Sequence, residues 1–415
     1  DDHQLIATSP ALESATSLPF EIAPAPNLNL LRNGAFNNEM AFWGVYATPN
    51  PDDIQFQVVN GVFQYFRTLD ATSAVVLQNT GVPLAGNIPL QAQFQLGNSS
   101  IMRKRALIMT HHANFNDFQI CSFWLEPNTP MQTYQMFTKT NIAWTEGASL
   151  SIYLSTGDET GYVLVDNVSL IYVPGTPVDE TRCIDPNAPN ISGDDSANLV
   201  TNGDFSAGFT AWGTFGSITS SVDSNGVLNF FGAPNPNGAV VLQYSGQPIP
   251  DNLLIEARFA LGNVSNLRKR ATVILHTPTF TDLQVCTFWL EPNTPLAEYM
   301  IQTYTTQAWD DATISVYVSS LDSTPAYLLD DVSLKMRPSL GFVGGTICSL
   351  LGSGGGGGTG LSAATMPQSV APADMPTLMP TATATFAAPV ELPMSIPTDA
   401  PSEVTSGEGL VSEGG

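Results

Sequence analysis

The decapeptide CSFWLEPNTP at residues 121–130 returns at 286–295 as CTFWLEPNTP, with Ser122 against Thr287 as the one change. The match runs on in both directions. NLLRNGAFNNEMAFWG from Asn29 faces NLVTNGDFSAGFTAWG from Asn198, and IMRKRALIM (101–109) faces NLRKRATVI (266–274). IAWTEGASLSIYLS (142–155) faces QAWDDATISVYVSS (307–320), and GYVLVDNVSL (161–170) faces AYLLDDVSL (326–334). The offset drifts from 169 to 165 to 164 residues, so length changes fall in loops while the framework is kept. All six tryptophans lie in matched pairs: Trp43/Trp212, Trp124/Trp289 and Trp144/Trp309. A repeat on this scale is a tandem duplication, each copy of single-domain size.

The local pattern within each copy is that of strands. AVVLQ, ALIMTH, QVCTFWL and TISVYVSS are short, β-branched or aromatic, and bounded by Gly, Pro, Asn or Asp. No long helical period appears. About eight to ten such runs per copy predict an all-β chain of two tandem β-sandwich jelly-roll domains. The expected boundaries are an extended arm at 1–26, unit 1 at 27–183, a linker at 184–197, unit 2 at 198–350, and a tail at 351–415. The tail opens on GSGGGGGTG, turns to Pro, Thr and Ala, and follows a last basic residue at Arg337. Such composition buries too little apolar surface to order itself, so disordered termini are expected.

The four cysteines obey the repeat. Cys121 and Cys286 sit in the decapeptide, and Cys183 and Cys348 follow each at a spacing of 62. Four cysteines allow three pairings, and the duplication favours Cys121–Cys183 with Cys286–Cys348. A loop of that length stabilises by about 4 kcal/mol in the chain-entropy treatment. Bridges of this kind persist in oxidising compartments, so an extracellular or cell-surface location is expected. Glu-Pro-Asn-Thr-Pro reads as a turn closing the strand that carries the cysteine.

The charge balance narrows function. Thirty-seven acidic residues stand against thirteen basic ones, a net charge of −24, which leaves no basic footprint for nucleic acid. No stretch of eighteen apolar residues predicts a transmembrane segment. The first residues, Asp1-Asp2-His3, read either as a processed N-terminus or as a fragment boundary. Neither G-x-S-x-G, H-E-x-x-H nor a phosphate-cradling loop is present, so no enzyme is expected.

The order of motifs resembles the galactose-binding-like jelly rolls, in particular the carbohydrate-binding modules fused to xylanases and glucanases. The residues that carry the resemblance are Asn202-Gly203-Asp204-Phe205, Trp212 and Asp330-Asp331-Val332 in unit 2. In unit 1 they are Asn33-Gly34, Phe36, Trp43 and Asp166-Asn167-Val168. The resemblance spans both units and neither tail. It implies non-catalytic carbohydrate binding and a structural calcium held by a Glu after the Phe and by an Asp of the closing strand. Here the Glu is replaced by Asn37 and Ser206, while Asp166 and Asp330 remain. Asn37, Asp166, Ser206 and Asp330 are therefore the candidate calcium residues; calcium wants six to eight hard oxygens.

The most distinctive polar feature is Arg-Lys-Arg at 103–105 and 268–270, nearly half of the thirteen basic residues. Alternate side chains of a strand share a face. That places Arg103, Arg105 and His111 together in unit 1, and Arg268, Arg270 and His276 together in unit 2. Arginine forks suit sugar hydroxyls and carboxylates. Tyr134, Tyr299 and Tyr304 are candidates for an adjoining aromatic platform. The other reading of these arginines is a network that neutralises neighbouring carboxylates.

The function expected is a secreted, non-enzymatic protein whose two modules bind polysaccharide or surface glycan, with avidity if both engage one polymer. The alternatives are a structural or adhesive surface protein that self-associates, or a non-catalytic piece of a larger glycoside hydrolase.

Overall fold

The computed structural model describes residues 6–9, 12–16, 28–175, 180–232, 239–318, 327–341 and 343–351. The tail from 352, expected to be disordered, lies outside the described residues. In the arm, β1 (Ile6–Ser9) and β2 (Leu12–Thr16) pair antiparallel, where a simple extended segment was expected.

Unit 1 contains β3 (Gly44–Thr48), β4 (Ile54–Val59), β5 (Val62–Arg67), β6 (Ser73–Asn79), β7 (Pro89–Asn98) and β8 (Lys104–His112). It continues with β9 (Phe118–Leu125), β10 (Gln132–Lys139), β11 (Ala148–Leu154), β12 (Val163–Tyr172) and β13 (Glu180–Ile184). Unit 2 repeats the series as β14 (Gly213–Gly216), β15 (Ile218–Val222), β16 (Leu228–Gly232), β17 (Ala239–Tyr244), β18 (Leu254–Asn263) and β19 (Lys269–His276). Its remaining strands are β20 (Leu283–Leu290), β21 (Thr294–Tyr304), β22 (Thr313–Val318), β23 (Tyr327–Met336) and β24 (Gly345–Leu350). Both units are all-β sandwiches, as the strand pattern predicts.

Each unit has its own five-stranded sheet, in the order β3-β6-β11-β8-β9 and β14-β17-β22-β19-β20. The opposing sheets are not separate. They join into one twelve-stranded antiparallel sheet, β15-β16-β23-β18-β21-β24-β13-β10-β7-β12-β5-β4. The join is the pair β13–β24, the last strand of each unit, with Arg182 opposite Ile347. Each disulfide ties the small sheet of its unit to that last strand: Cys121 on β9 to Cys183 on β13, and Cys286 on β20 to Cys348 on β24. The bridges thereby hold in place the strands through which the units meet.

Side-chain alternation explains the layers. In β7 every second residue, Leu90, Ala92, Phe94 and Leu96, is fully buried, and Gln91, Gln93 and Gln95 point the other way. β8 and β9 are buried at every position, as are Lys269–His276 in β19. One face of β8 enters the core of unit 1 through Ala106 and Ile108. The other face carries Leu107 and Met109, which pack with Trp289 of unit 2. The mirrored cluster sets Trp124 against Ile274, Leu283 and Val285.

The motif Asn-Gly-x-Phe…Trp is a structural clasp. Asn33 adopts φ 52° and its amide donates to the carbonyls of Glu39 and Ala41 at 2.9 and 3.1 Å. Trp43 returns its indole N–H to the Asn33 carbonyl at 3.1 Å, and Trp212 does the same to Asn202. A Cβ at Gly34 or Gly203 would stand 1.9 Å from the carbonyl oxygen of Val168 or Val332, so only glycine fits.

The segment 184–197, read as the linker, is bonded to unit 2. Asp185 accepts from the Tyr304 hydroxyl at 2.6 Å, and Asp195 pairs with Arg337 at 2.9 Å.

Candidate functional site

The Arg-Lys-Arg strands do put their arginines and histidines on one face, but that face is covered by the other unit. Arg103 pairs with Glu126 of its own unit at 2.7 Å and with Asp282 of unit 2 at 3.3 Å. It also donates to the Thr281 carbonyl at 3.1 Å and meets the Thr306 hydroxyl. Arg268 mirrors this with Glu291 at 2.8 Å, Asp117 at 3.0 Å and the Asn116 carbonyl at 2.9 Å. Each guanidinium lies over the tryptophan of its own decapeptide, 3.9 Å from the Trp124 centroid and 4.1 Å from that of Trp289. The indoles in turn cross the seam: Trp124 donates to the Leu283 carbonyl at 3.1 Å and Trp289 to the Phe118 carbonyl at 3.0 Å.

The anchors on the receiving side are two buried aspartates. Asp117 accepts from the Asn141 backbone at 2.8 Å, the Asn141 amide at 2.9 Å and the Trp144 indole at 2.8 Å. Asp282 accepts from the Thr306 backbone and the Trp309 indole, both at 2.8 Å. A buried carboxylate needs this many donors, and the arginine from the opposite unit supplies the countercharge. The decapeptide is repeated because its cysteine staples the joining strand, its tryptophan plugs the other unit, and its glutamate steadies the arginine.

The proposed ligand face is thus corrected by burial. Arg105, Arg270, His111, His276, Tyr134, Tyr299 and Tyr304 are all buried, and Arg103 and Arg268 are half-buried. Arg105 lies near Trp124, and Arg270 lies 4.4 Å from the Phe118 ring centroid. His111 bonds Ser151 at 2.7 Å, and burial pushes its imidazole down to about 4. His276 bonds Ser315 at 2.7 Å and is likewise pushed down to about 4. Tyr134 packs on Phe94 and Phe123, and Tyr299 on Phe259 and Phe288, so neither forms an outer platform. Of the two sequence readings, the arginines follow the carboxylate network, closed across the seam.

The accessible polar face lies elsewhere, on the outer side of the large sheet in unit 1. Register places Gln57 opposite Gln64, and Gln93 opposite both Gln135 and Ser169. Their amides are joined: Gln57 donates to Gln64 at 3.0 Å, Gln135 to Gln93 at 3.3 Å, and Asn167 to Gln95 at 3.1 Å. Phe66, one step along the face from Gln64, lies 5.4 Å from the Tyr162 ring. At the matched positions unit 2 is ionic. Gln91 becomes Glu256, Gln93 becomes Arg258 and Gln135 becomes Met300. Glu256 accepts from Arg258 at 2.9 Å, from Gln302 at 2.7 Å and from Arg337. The two units have therefore diverged on this face, while the arginine, tryptophan and aspartate contacts of the seam recur in both. The signal was present as glutamine at every second position of PLQAQFQLG.

The calcium candidates divide unequally. Asp330 is raised above the usual carboxylate range by burial and by the charges of Asp331, Asp204 and Asp223. Ser206 donates its hydroxyl to Asp204 at 3.0 Å. In unit 1, Ala35 stands for Asp204 and Asn167 for Asp331. Asp166 accepts from the Asn167 backbone at 2.7 Å as Asp330 does from Asp331 at 2.8 Å, and Asn37 and Ser206 are both exposed, so the units differ here in charge alone. Among the described residues no three His, Cys, Asp or Glu side chains converge as a metal-holding group.

No protein-family model matches the chain, and no curated protein does. Solved structures similar to it include the CBM22-1-CBM22-2 tandem domain of Paenibacillus barcinonensis Xyn10C. That match has 12% identity and a TM-score of 0.29, and covers 76% of this chain and 99% of that one. TmCBM61 in complex with beta-1,4-galactotriose has 12% identity and a TM-score of 0.26, covering 35% of this chain and 99% of that one. The family 11 carbohydrate-binding module from Clostridium thermocellum, in complex with a beta-1,3-1,4-mixed-linked tetrasaccharide, has 15% identity and a TM-score of 0.23. It covers 32% of this chain and 89% of that one.

Proposed function

We propose that the chain is a non-enzymatic, extracellular carbohydrate-binding protein whose polysaccharide lies across the outer face of the large sheet in unit 1. The observation that carries this reading is an amide ladder of three bonded pairs, Gln57–Gln64, Gln135–Gln93 and Asn167–Gln95. A glutamine amide both donates and accepts, as a hydroxyl-rich ligand requires, and it is neutral, so covering it costs less than covering a charge. Phe66 and Tyr162 add ring surface beside it. Unit 2 does not share the site, because its equivalent face is occupied by the Glu256–Arg258–Glu298 ion pairs. In this reading the second module acts as a partner that holds the first rigid, and not as a second equal site.

Absence of catalysis is part of the same proposal: the matched histidines are buried and held neutral, and Asp117 and Asp282 are occupied by their donors. Two disulfides support an oxidising location. The surface that a lone module would offer to a second copy is covered within the chain, which favours glycan binding over self-association. Calcium, where bound, is assigned to unit 2 through Asp330, Asp204 and Ser206, and would neutralise the acidic group there.

The test is electrophoresis of the full chain in gels containing xylan, mixed-linkage glucan, galactan or arabinan. Retardation in at least one, lost in Gln93→Ala/Gln135→Ala and kept in Arg258→Ala, supports the site. No retardation in any gel discards it.

A further inference from the structure

The two ends of the seam are related by the repeat, yet they are built differently. Lys139 and Tyr304 occupy equivalent positions, as do Leu350 and Asp185. At one end Tyr304 and Asp185 are buried and bonded at 2.6 Å, with Asn187 donating to Tyr134 beside them at 3.1 Å. At the other end stand Lys139 and Leu350, and there a cavity of about 140 Å³ opens between the units.

The walls of this cavity are of two kinds. Trp289, Phe288 and Tyr299 contribute ring surface from unit 2. Gln119, Asn141, Thr138 and Thr181 contribute amides and hydroxyls from unit 1. Thr181 donates to Gln119 Oε1 at 3.2 Å, which fixes Nε2 as the donor end of that amide. Thr287 lines the cavity, and its buried hydroxyl has no hydrogen-bond partner, as is also true of its twin Ser122 at the other end. Trp289 is half-buried, whereas its twin Trp124 is buried. The lining charges, Lys139 and Glu180, are opposite and balance.

Size and chemistry narrow the occupant. The space far exceeds that for one water, and falls below the roughly 300–1,000 Å³ of sites for drug-sized ligands. Ring surface on one side with amides and hydroxyls on the other suits a molecule with an apolar face and a rim of hydroxyls. We propose that the cavity binds one neutral pyranose, either a free monosaccharide or the terminal sugar of a chain. Its ring lies against Trp289, and its hydroxyls meet Gln119, Asn141 and Thr287. Among the described residues the twin position is filled by Tyr304 and Asp185. The site is separate from the amide ladder.

The full chain is titrated with D-glucose, D-galactose, D-mannose and D-xylose, and with the corresponding β-1,4-linked disaccharides, up to tens of millimolar. Tryptophan fluorescence and saturation-transfer NMR are the readouts. Saturable binding of at least one sugar is expected; a monosaccharide matching its disaccharide marks a free sugar, and a tighter disaccharide marks a chain end. Lys139→Tyr/Leu350→Asp copies the filled end and is expected to weaken binding at least tenfold with an unchanged melting temperature. Thr287→Val is expected to weaken it several-fold, and serves alone if the double variant does not fold. No saturable binding by any sugar, or parental binding by both variants, overturns the proposal. Retardation in the polysaccharide gels is expected to survive Lys139→Tyr/Leu350→Asp and Thr287→Val, so failure here and failure of the amide ladder are read separately.

Discussion

Arg182 and Ile347 face each other at the centre of the twelve-stranded sheet, and they are the same position of the repeat. A strand that pairs with its own duplicate in this way defines a two-fold relation between the units. Contacts on one side must then recur on the other, as they do for Trp124–Leu283 and Trp289–Phe118. This is the isologous geometry of a symmetric dimer, held within one chain.

The seam depends on buried charge being paired. Replacing Asp282 with Ala takes from Arg103 its carboxylate partner across the seam, leaving the ion pair with Glu126, and frees the Trp309 indole. The expected cost is about 3–5 kcal/mol. Asp117→Ala is expected to cost a similar amount because Arg268 and Trp144 lose the same partner. Urea midpoints compared with the parent check both values.

Each disulfide holds a joining strand, so its loss acts at two levels. Cys121→Ala/Cys183→Ala is expected to destabilise by about 2–5 kcal/mol. Cys286→Ala/Cys348→Ala is expected to match it, since both loops span 62 residues. Amide exchange in residues 180–184 and 345–350 should rise together in either variant, because these strands pair with each other. Rise in one strand only contradicts the continuous sheet.

Much of the fold was legible because it is repeated. Strand runs, the cysteine pairing and the duplication all follow from residues that recur at fixed spacing. What covers the Arg face was not legible. Period two tells which side chains of 103–111 share a face, not what stands opposite, and the opposite surface comes from residues such as Asp282 that are remote in sequence. A weak sign existed in β8 and β9, whose runs RALIMTHH and FQICSFWL lack the polar alternation of a strand with one wet face. The cavity was illegible for a different reason, since the residues that differ between its end and the twin end, Lys139 against Tyr304 and Leu350 against Asp185, are brought together only by packing.

Acid should loosen the molecule through its histidines. His111 and His276 are pushed down to about 4 by burial, whereas the unfolded chain protonates near 6.5. Between those values the unfolded state binds more protons, so stability is full above about pH 6.5 and falls as pH drops toward 4, by up to about 3 kcal/mol per histidine. His111→Gln/His276→Gln is expected to flatten this part of the profile. Melting temperatures from pH 7 to pH 4 give the comparison.

Calcium assigned to unit 2 makes a sharp contrast between the copies. Millimolar calcium is expected to raise the melting temperature of the parent and of Asp166→Ala, and to leave Asp330→Ala unmoved. A chelator that shifts none of the three removes calcium from the account.

The central claim is that a neutral amide ladder on unit 1 binds polysaccharide while its ionic twin on unit 2 does not. Calorimetric titration of the full chain with the polysaccharide that retards it most tests this directly. The account predicts binding to one module per chain, weakened at least tenfold by Gln93→Ala/Gln135→Ala and unchanged by Arg258→Ala. Equal binding by the glutamine variant, or loss on Arg258→Ala, would contradict it.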